Sequence, residues 1–510
     1  MKRLTGLDAS FLHLETANCP MHVGGIAVYD PTDVPGGWTV DTLKEVISAR
    51  LHLVPPFRQR LVEVPFGLHH PLWIEDPDFH IDHHIHHVAV PAPGTRRELA
   101  ALAAHLVSVP LDRRRPLWEM WVIEGLEHGH VAVLSKIHHA AIDGASGAEI
   151  TVSLLDLTPE VAVYEPESEW VPDPVPSDAE LLTYAVSSLA RQPVAVAKAV
   201  RHSVEAGIGV RRHNRRHHPE TPPAPFAAPR TTFNRALTRD RALSATSLPL
   251  EEIKAVKRAA GTTVNDVVLA LCAGSLRRWL DDRGETTDAP LVAMVPISVR
   301  TEDGKGAMGN QVSSALASLA TTIDDPLERL EHISAGMRAV KEQHQLIGAS
   351  TLQDWAEFAA PAVAASAARL YSRFRVAGAH RPLFNLTISN VPGPPFPLYL
   401  GGARMVANFP IGPIYDGAGL NITVMGYRDA LDVGINVCPD LIDDPWALAA
   451  GMRVALDELL EATGAEPAPT PAEPPVDGDL VDGADVRVDA IDGADDRAPS
   501  GDDGETAPSV

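Results

Sequence analysis

Short apolar runs bounded by turn residues alternate along the chain with longer segments whose apolar positions recur every three or four residues. The first pattern predicts strands over Val23–Tyr29, Arg58–Val64, Trp118–Glu124, Val131–Ile137, Leu291–Ile297 and Leu386–Asn390, and a hairpin of Leu420–Tyr427 with Ala430–Val437 turning near Arg428-Asp429. The second predicts helices over Val40–Arg50, Glu98–Val107, Ala145–Leu155 and Leu250–Ala260, the last ended by Gly261. A further helix runs through Trp279, with Asn265-Asp266 as its expected N-cap, and Asp325-Pro326 opens another. Strands and helices mixed in this way predict layered α/β architecture.

At 510 residues the chain is too long for one core. Composition divides it. Residues 1–165 and 231–462 both carry the α/β texture, without visible repetition. Between them, 166–230 is a connector with proline-rich ends and a helical middle, closing on the basic run Arg211–His218. From Glu466 the chain holds thirteen acids against two arginines among Pro, Gly and Asp, so 463–510 is expected to be a disordered acidic tail.

The net charge of -24 argues against nucleic acid as a partner. Arg211–His218 is either a solvated helix end or a site for anionic lipid headgroups or carrier phosphates. Cys19, Cys272 and Cys438 form no paired spacing, which fits a reducing cytosol. The N-terminus lacks the apolar core of a signal peptide, and no apolar run of about 18 residues is present. A cytoplasmic protein, soluble or peripheral at a membrane or lipid droplet, is expected.

Candidate chemistry gathers after the Val131–Ile137 strand, in His138-His139-Ala140-Ala141-Ile142-Asp143-Gly144. An imidazole with a pKa near 6.5 can take a proton from an alcohol as the alcohol attacks an electrophile. Adjacent residues at a strand end point opposite ways, so one histidine faces the substrate. Asp143 can shape the turn or fix a tautomer, and Gly144 permits a close approach. The other histidine-rich stretch, His80–His87, has no metal-ligand spacing. It reads as a polar strand whose side chains split between two faces.

His138–Gly144 matches the HHxxxDG motif of the CoA-dependent acyltransferase superfamily. More closely, the chain resembles the bacterial wax ester synthase/acyl-CoA:diacylglycerol acyltransferase family from Leu4 to about Leu460. Leu7–Leu12 with Pro20–Gly24, Pro116-Leu117-Trp118-Glu119, Asn265-Asp266, Pro296–Arg300 and Ser389–Pro394 carry this resemblance in order. His80–His87 is richer in histidine than the family pattern, and Gly426 stands where serine is usual.

The resemblance implies two chloramphenicol-acetyltransferase-like domains, each a mixed sheet with helices, meeting at an active-site tunnel. It implies acyl-CoA as donor and diacylglycerol or a long-chain alcohol as acceptor, with no cofactor and no metal. His139 would be the general base, and His138, Asp143 and Gly144 would hold the motif's geometry. Asn265 and Asp266 would come from the second domain, Asn265 as oxyanion donor, with Ser389 and Asn390 as weaker substrate contacts. Trp118 is expected to pack in the core. The same fold also serves acyltransferases for specialised alcohols, and a catalytically silent lipid-surface protein is the non-enzymatic reading.

Overall fold

The computed structural model describes residues 2–142, 150, 153–165, 170–189, 223–224, 226–298, 312–347 and 361–466. Asp143 and Gly144, the basic run 211–218 and the tail beyond 466 therefore lie outside the described residues, as does most of Ala145–Leu155.

The described helices are α1 (Gly6–Leu14), α2 (Val40–Arg50), α3 (Arg96–Ser108), α4 (Asp178–Leu189), α5 (Leu250–Ala260), α6 (Val264–Asp281), α7 (Pro326–Ile347), α8 (Pro361–Arg373) and α9 (Pro445–Thr463). The strands of the small three-stranded sheet are β1 (Lys2–Arg3), β3 (Gln59–Val62) and β4 (Leu72–Glu75), in the order β1-β4-β3.

Two six-stranded mixed sheets organise the rest. The first runs β12-β13-β2-β7-β6-β5, from β2 (His22–Asp30), β5 (Ile85–Ala89), β6 (Trp118–Glu124), β7 (Val131–His138), β12 (Tyr399–Leu400) and β13 (Ala403–Ile411). The second runs β10-β9-β11-β14-β15-β8, from β8 (Ala242–Pro249), β9 (Val292–Ser298), β10 (Val312–Ser318), β11 (Leu386–Val391), β14 (Leu420–Tyr427) and β15 (Ala430–Val437).

The sheets do not follow the linear division of the sequence. β12 and β13 lie far beyond residue 231, yet β13 pairs antiparallel with β2, Phe409 opposite Ile26. The crossing strand is bolted to its own half as well. Asn408 donates its backbone N–H to Asp432 Oδ2 at 2.8 Å, and Asn436 Nδ2 donates to the Gly412 carbonyl at 2.9 Å. β15 passes so near β13 that a Cβ on Gly434 would sit 1.8 Å from the Pro410 carbonyl oxygen. A side chain there would push the two sheets apart.

Local sequence explains the element ends. Thr39 and Thr95 close capping boxes at the starts of α2 and α3, and Gly261 ends α5 in the left-handed conformation. At α6 the cap is Thr263, whose hydroxyl accepts from the Asp266 N–H while Asp266 Oδ2 accepts from the Thr263 N–H. This corrects the expected Asn265-Asp266 cap: Asn265 lies inside the first turn. His80–His87 is also not one strand, since 81–83 form a 3-10 turn and only 85–89 join β5.

One large core lies between the second sheet and α5, α6, α7 and α9, and separate apolar clusters cover the two faces of the first sheet. No single helix among the described residues is long and apolar enough to cross a membrane. The pair α5–α6 passes on composition alone, but it is bent by 104° and packs into the second core. Trp118 belongs to the first half's core, stacked between Phe57 at 4.3 Å and His84 at 4.5 Å, its indole N–H donated to the Phe57 carbonyl.

Candidate active site

β7 delivers the double histidine. Its partner β2 holds it in register with His22 opposite His138, and the chain past the strand is fixed by a backbone bond from His139 N–H to the Met21 carbonyl at 2.8 Å. The two histidines then part. His138 is fully buried, whereas His139 keeps partial exposure and stacks face to face on Phe11 of α1, ring centres 3.9 Å apart.

The tautomer of His138 follows from its neighbours. The Ala140 backbone N–H, which can only donate, points at His138 Nδ1 at 3.0 Å, so Nδ1 is the acceptor and the ring proton sits on Nε2. Nε2 faces Glu15 Oε1 at 3.6 Å, longer than a hydrogen bond. Glu15 is itself clamped: Arg113 Nε donates to Oε2 at 2.7 Å, its Nη2 donates there too, and Nη2 also reaches the Leu12 carbonyl at 2.8 Å. Helix α1 is thereby pinned over the motif. Protonating His138 would take the acceptor from Ala140, and burial, with the nearby charge of Arg113, holds its pKa well below the usual value.

On the His138 side, the two halves meet at a narrow pocket lined in part by Pro20, His22, Lys136, Arg241, Ile414 and Asn436. Lys136 is fully buried, its Nζ 2.8 Å from Glu119 and donating to the Val109 carbonyl at 3.1 Å. Arg241 crosses the seam to the Asn18 carbonyl at 2.6 Å.

His22 is pushed down to about 3 by burial and then by the charge of Lys136, and His84 to about 4 by burial, opposed by its contact with the Trp118 carbonyl. His22, His84 and His138 are therefore neutral in the fold, while the unfolded chain protonates them near pH 6.5. The depressed pKa values of His22 and His84 make their contribution to stability complete above about pH 6.5 and progressively lost as pH falls toward 3–4, and His138 acts in the same direction. Each histidine contributes about 1.4 kcal/mol per pH unit in that window. Thermal melts at pH 7.5, 6 and 5 should show a steady fall; an unchanged midpoint would contradict the assignment.

The second-half candidates sit as follows. Asn265 is half-buried in the first turn of α6. Asp266 is buried and fully engaged, since Oδ2 accepts from Ser334 Oγ at 3.0 Å besides serving the capping box. Its carboxylate holds α6 to α7. Ser389 and Asn390 are half-buried near the end of β11, before a segment that passes so close to β14 that a Cβ on Gly393 would lie 1.8 Å from the Gly426 carbonyl oxygen. The His-rich segment brings His84 into the core and leaves His87 on the surface 3.1 Å from Glu124. Among the described residues no group of His, Cys, Asp and Glu is placed to hold a metal ion.

Phe11, Glu15, His22 and Arg113 also stand around the histidine pair, and their residue types alone do not mark them. Phe11 and His22 stand in two of the quoted N-terminal motifs. For Glu15 and Arg113 the signal was absent, because their partnership spans 98 residues.

Comparison with known proteins identifies relatives of the chain. Residues 4–268 match the family model for the wax ester synthase/diacylglycerol acyltransferase catalytic domain, and 308–460 match the model for its C-terminal domain. A Mycobacterium tuberculosis relative named as a candidate diacylglycerol O-acyltransferase is 41% identical over 473 residues, covering 92% of each chain. A second from the same organism, so named, is 36% identical over 91% of this chain and 97% of its own. Among solved structures, the wax ester synthase/diacylglycerol acyltransferase of Marinobacter aquaeolei superposes with a TM-score of 0.64 at 28% identity, over 91% of this chain and all of that one. A condensation domain of the calcium-dependent antibiotic synthetase shares the fold, with a TM-score of 0.55 at 18% identity over 92% of this chain and 97% of its own. The chain is an acyltransferase and belongs to the wax ester synthase/diacylglycerol acyltransferase family.

Proposed function

We propose that the protein moves a long-chain acyl group from acyl-CoA to the hydroxyl of diacylglycerol or a long-chain alcohol, with His139 as general base. The observation that carries the assignment is the unequal fate of the two histidines. His138 is buried with its acceptor nitrogen committed to the Ala140 N–H, whereas His139 is partly exposed at the strand end. Only the second can meet a substrate hydroxyl.

In the proposed step His139 takes the hydroxyl proton as the oxygen attacks the thioester carbonyl, forming a C–O bond. The tetrahedral intermediate collapses by breaking the C–S bond, and the departing thiolate recovers the proton from the imidazolium. Asn265 is the proposed donor to the oxyanion, with Ser389 and Asn390 as the next candidates. Asp266, engaged by Thr263 and Ser334, acts by holding α6 in place. As written, the transfer calls on no metal and no cofactor. The insolubility of the acceptors favours work at the cytoplasmic face of a membrane or at a lipid droplet.

An acceptor panel with one labelled palmitoyl-CoA tests this. Labelled triacylglycerol from diacylglycerol, wax ester from hexadecanol, or both, is expected. If neither acceptor is used while a specialised alcohol is, the assignment of acceptor class fails.

A further inference from the structure

A face of the protein beside the candidate site is built unlike the rest of an acidic chain. Phe66 is 86% exposed and Phe374 69%, both far outside what burial usually leaves for phenylalanine. Phe66 stands in the turn Val64-Pro65-Phe66-Gly67-Leu68 at φ 60, a left-handed conformation rare for a bulky residue, which holds its ring out from the surface. Phe374 follows α8 directly, next to Leu370, itself exposed. α8 packs against α1 and also against the Phe66 turn, so these side chains belong to one face. Leu14, the exposed last residue of α1, extends it.

The charge of this face is distinctive. Arg369, Arg373 and Arg375 are exposed around Leu370 and Phe374, and between residues 358 and 415 the sequence contains no Asp or Glu. In a chain of net charge -24 this segment alone is purely basic over such a length. Arginines flanking Leu370 and Phe374, with the Phe66 ring projecting from the neighbouring turn, match a lipid surface with anionic headgroups: the rings enter the interfacial layer, and the guanidinium groups meet the phosphates.

The placement relative to the site gives the face a purpose. α1 carries Phe11, stacked on His139, and ends at Leu14 on the exposed face. Just beyond α1, Thr16 Oγ1 lies 3.5 Å from Ser372 Oγ on α8. The helix that covers the proposed base is thus joined to the helix that carries the arginines. We infer that the face formed by the Pro65–Leu68 turn, the end of α1 and the 369–375 segment docks the protein on an anionic lipid surface. Docking there brings the bilayer's alcohols to the edge of α1, beside His139. This last step rests on the acyltransferase reading above, whereas the docking itself does not.

The experiment is vesicle co-flotation of the full-length protein, without acyl-CoA, on phosphatidylcholine vesicles with and without phosphatidylglycerol. Wild type is expected to bind the anionic vesicles and to lose binding as salt is raised. Arg369→Glu/Arg373→Glu should bind more than tenfold more weakly, at roughly fivefold per arginine lost. Phe66→Ser/Phe374→Ser should also lose binding to the anionic vesicles, and melting curves identify any variant that fails to fold.

Wild-type binding to both vesicles alike with no salt effect, or both folded variants binding like wild type, would overturn the inference. So would unchanged vesicle binding accompanied by loss of a self-associated form, which would mark the face as a contact between copies. A second readout separates this inference from the catalytic one. Turnover of vesicle-borne diacylglycerol should fall in the folded variants, while turnover of a short water-soluble alcohol stays at the wild-type level. An inactive wild type whose vesicle binding still depends on these residues would sink the acyltransfer reading alone.

Discussion

Replacing Asp156 with alanine should destabilise the first half by about 3–5 kcal/mol, the cost of stranding one partner of a buried ion pair. Arg50 and Asp156 are both essentially inaccessible, with Nη2 2.5 Å from Oδ1. Arg50 also donates to the carbonyls of Leu154 and Ala162, and Asp156 Oδ1 accepts from the Ala162 N–H at 3.1 Å. The pair fastens the segment after the histidine motif to the end of α2. Asp156 simultaneously exchanges backbone bonds with Tyr399 of the crossing strand β12, at 2.8 Å each way. Alanine would leave a guanidinium buried without its counter-charge. Denaturant melts followed by tryptophan fluorescence should show the loss, and Arg50→Met/Asp156→Leu should recover much of it, since the apolar pair leaves no charge behind. A single variant as stable as wild type would show that the pair is not needed.

The sequence was most readable where the determinants are local. The span Val40–Arg50 is legible from its apolar spacing and from Thr39 or Asp41 as cap, of which Thr39 serves, and Leu250–Ala260 from its terminal glycine. The hairpin of Leu420–Tyr427 and Ala430–Val437 was fixed by alternation around a short turn. It was least readable where residues distant in sequence decide. Nothing local says that Ala403–Ile411 will leave its own half and join β2, because a strand's period is the same whichever sheet it enters. The Thr263 cap was displaced onto Asn265-Asp266 because all three residue types can cap, and only the backbone shows which stands at the helix start.

The candidate site divides in the same way. The motif placed His138 and His139 at a strand end, where the structure has them. The motif did not reveal that α1 folds over them, or that Glu15 and Arg113 clamp that helix down. Alternation predicted opposite faces for the two histidines. The Ala140 N–H, a local detail of the turn that residue types alone do not specify, is what occupies His138 Nδ1.

His139→Ala should lower turnover by about 10²- to 10⁴-fold, the range that a positioned general base supplies. The loss should fall on kcat, because the ring's proposed role is proton transfer. The effect on stability should be small, since His139 is partly exposed and its ring stacks on Phe11. His138→Ala should behave differently. It strands the buried Ala140 N–H, which costs about 1–3 kcal/mol, and loosens the turn that presents His139, so stability and turnover fall together.

The central claim is that His139 is the base of a direct transfer from acyl-CoA to an alcohol. The measurement that tests it most directly is ester formation from labelled palmitoyl-CoA by wild type and His139→Ala side by side, with melting curves taken on the same samples. The account predicts labelled ester from wild type with diacylglycerol or hexadecanol, and a loss of at least about 10²-fold in a variant that melts like wild type. Ester formation by the variant at the wild-type rate would contradict it.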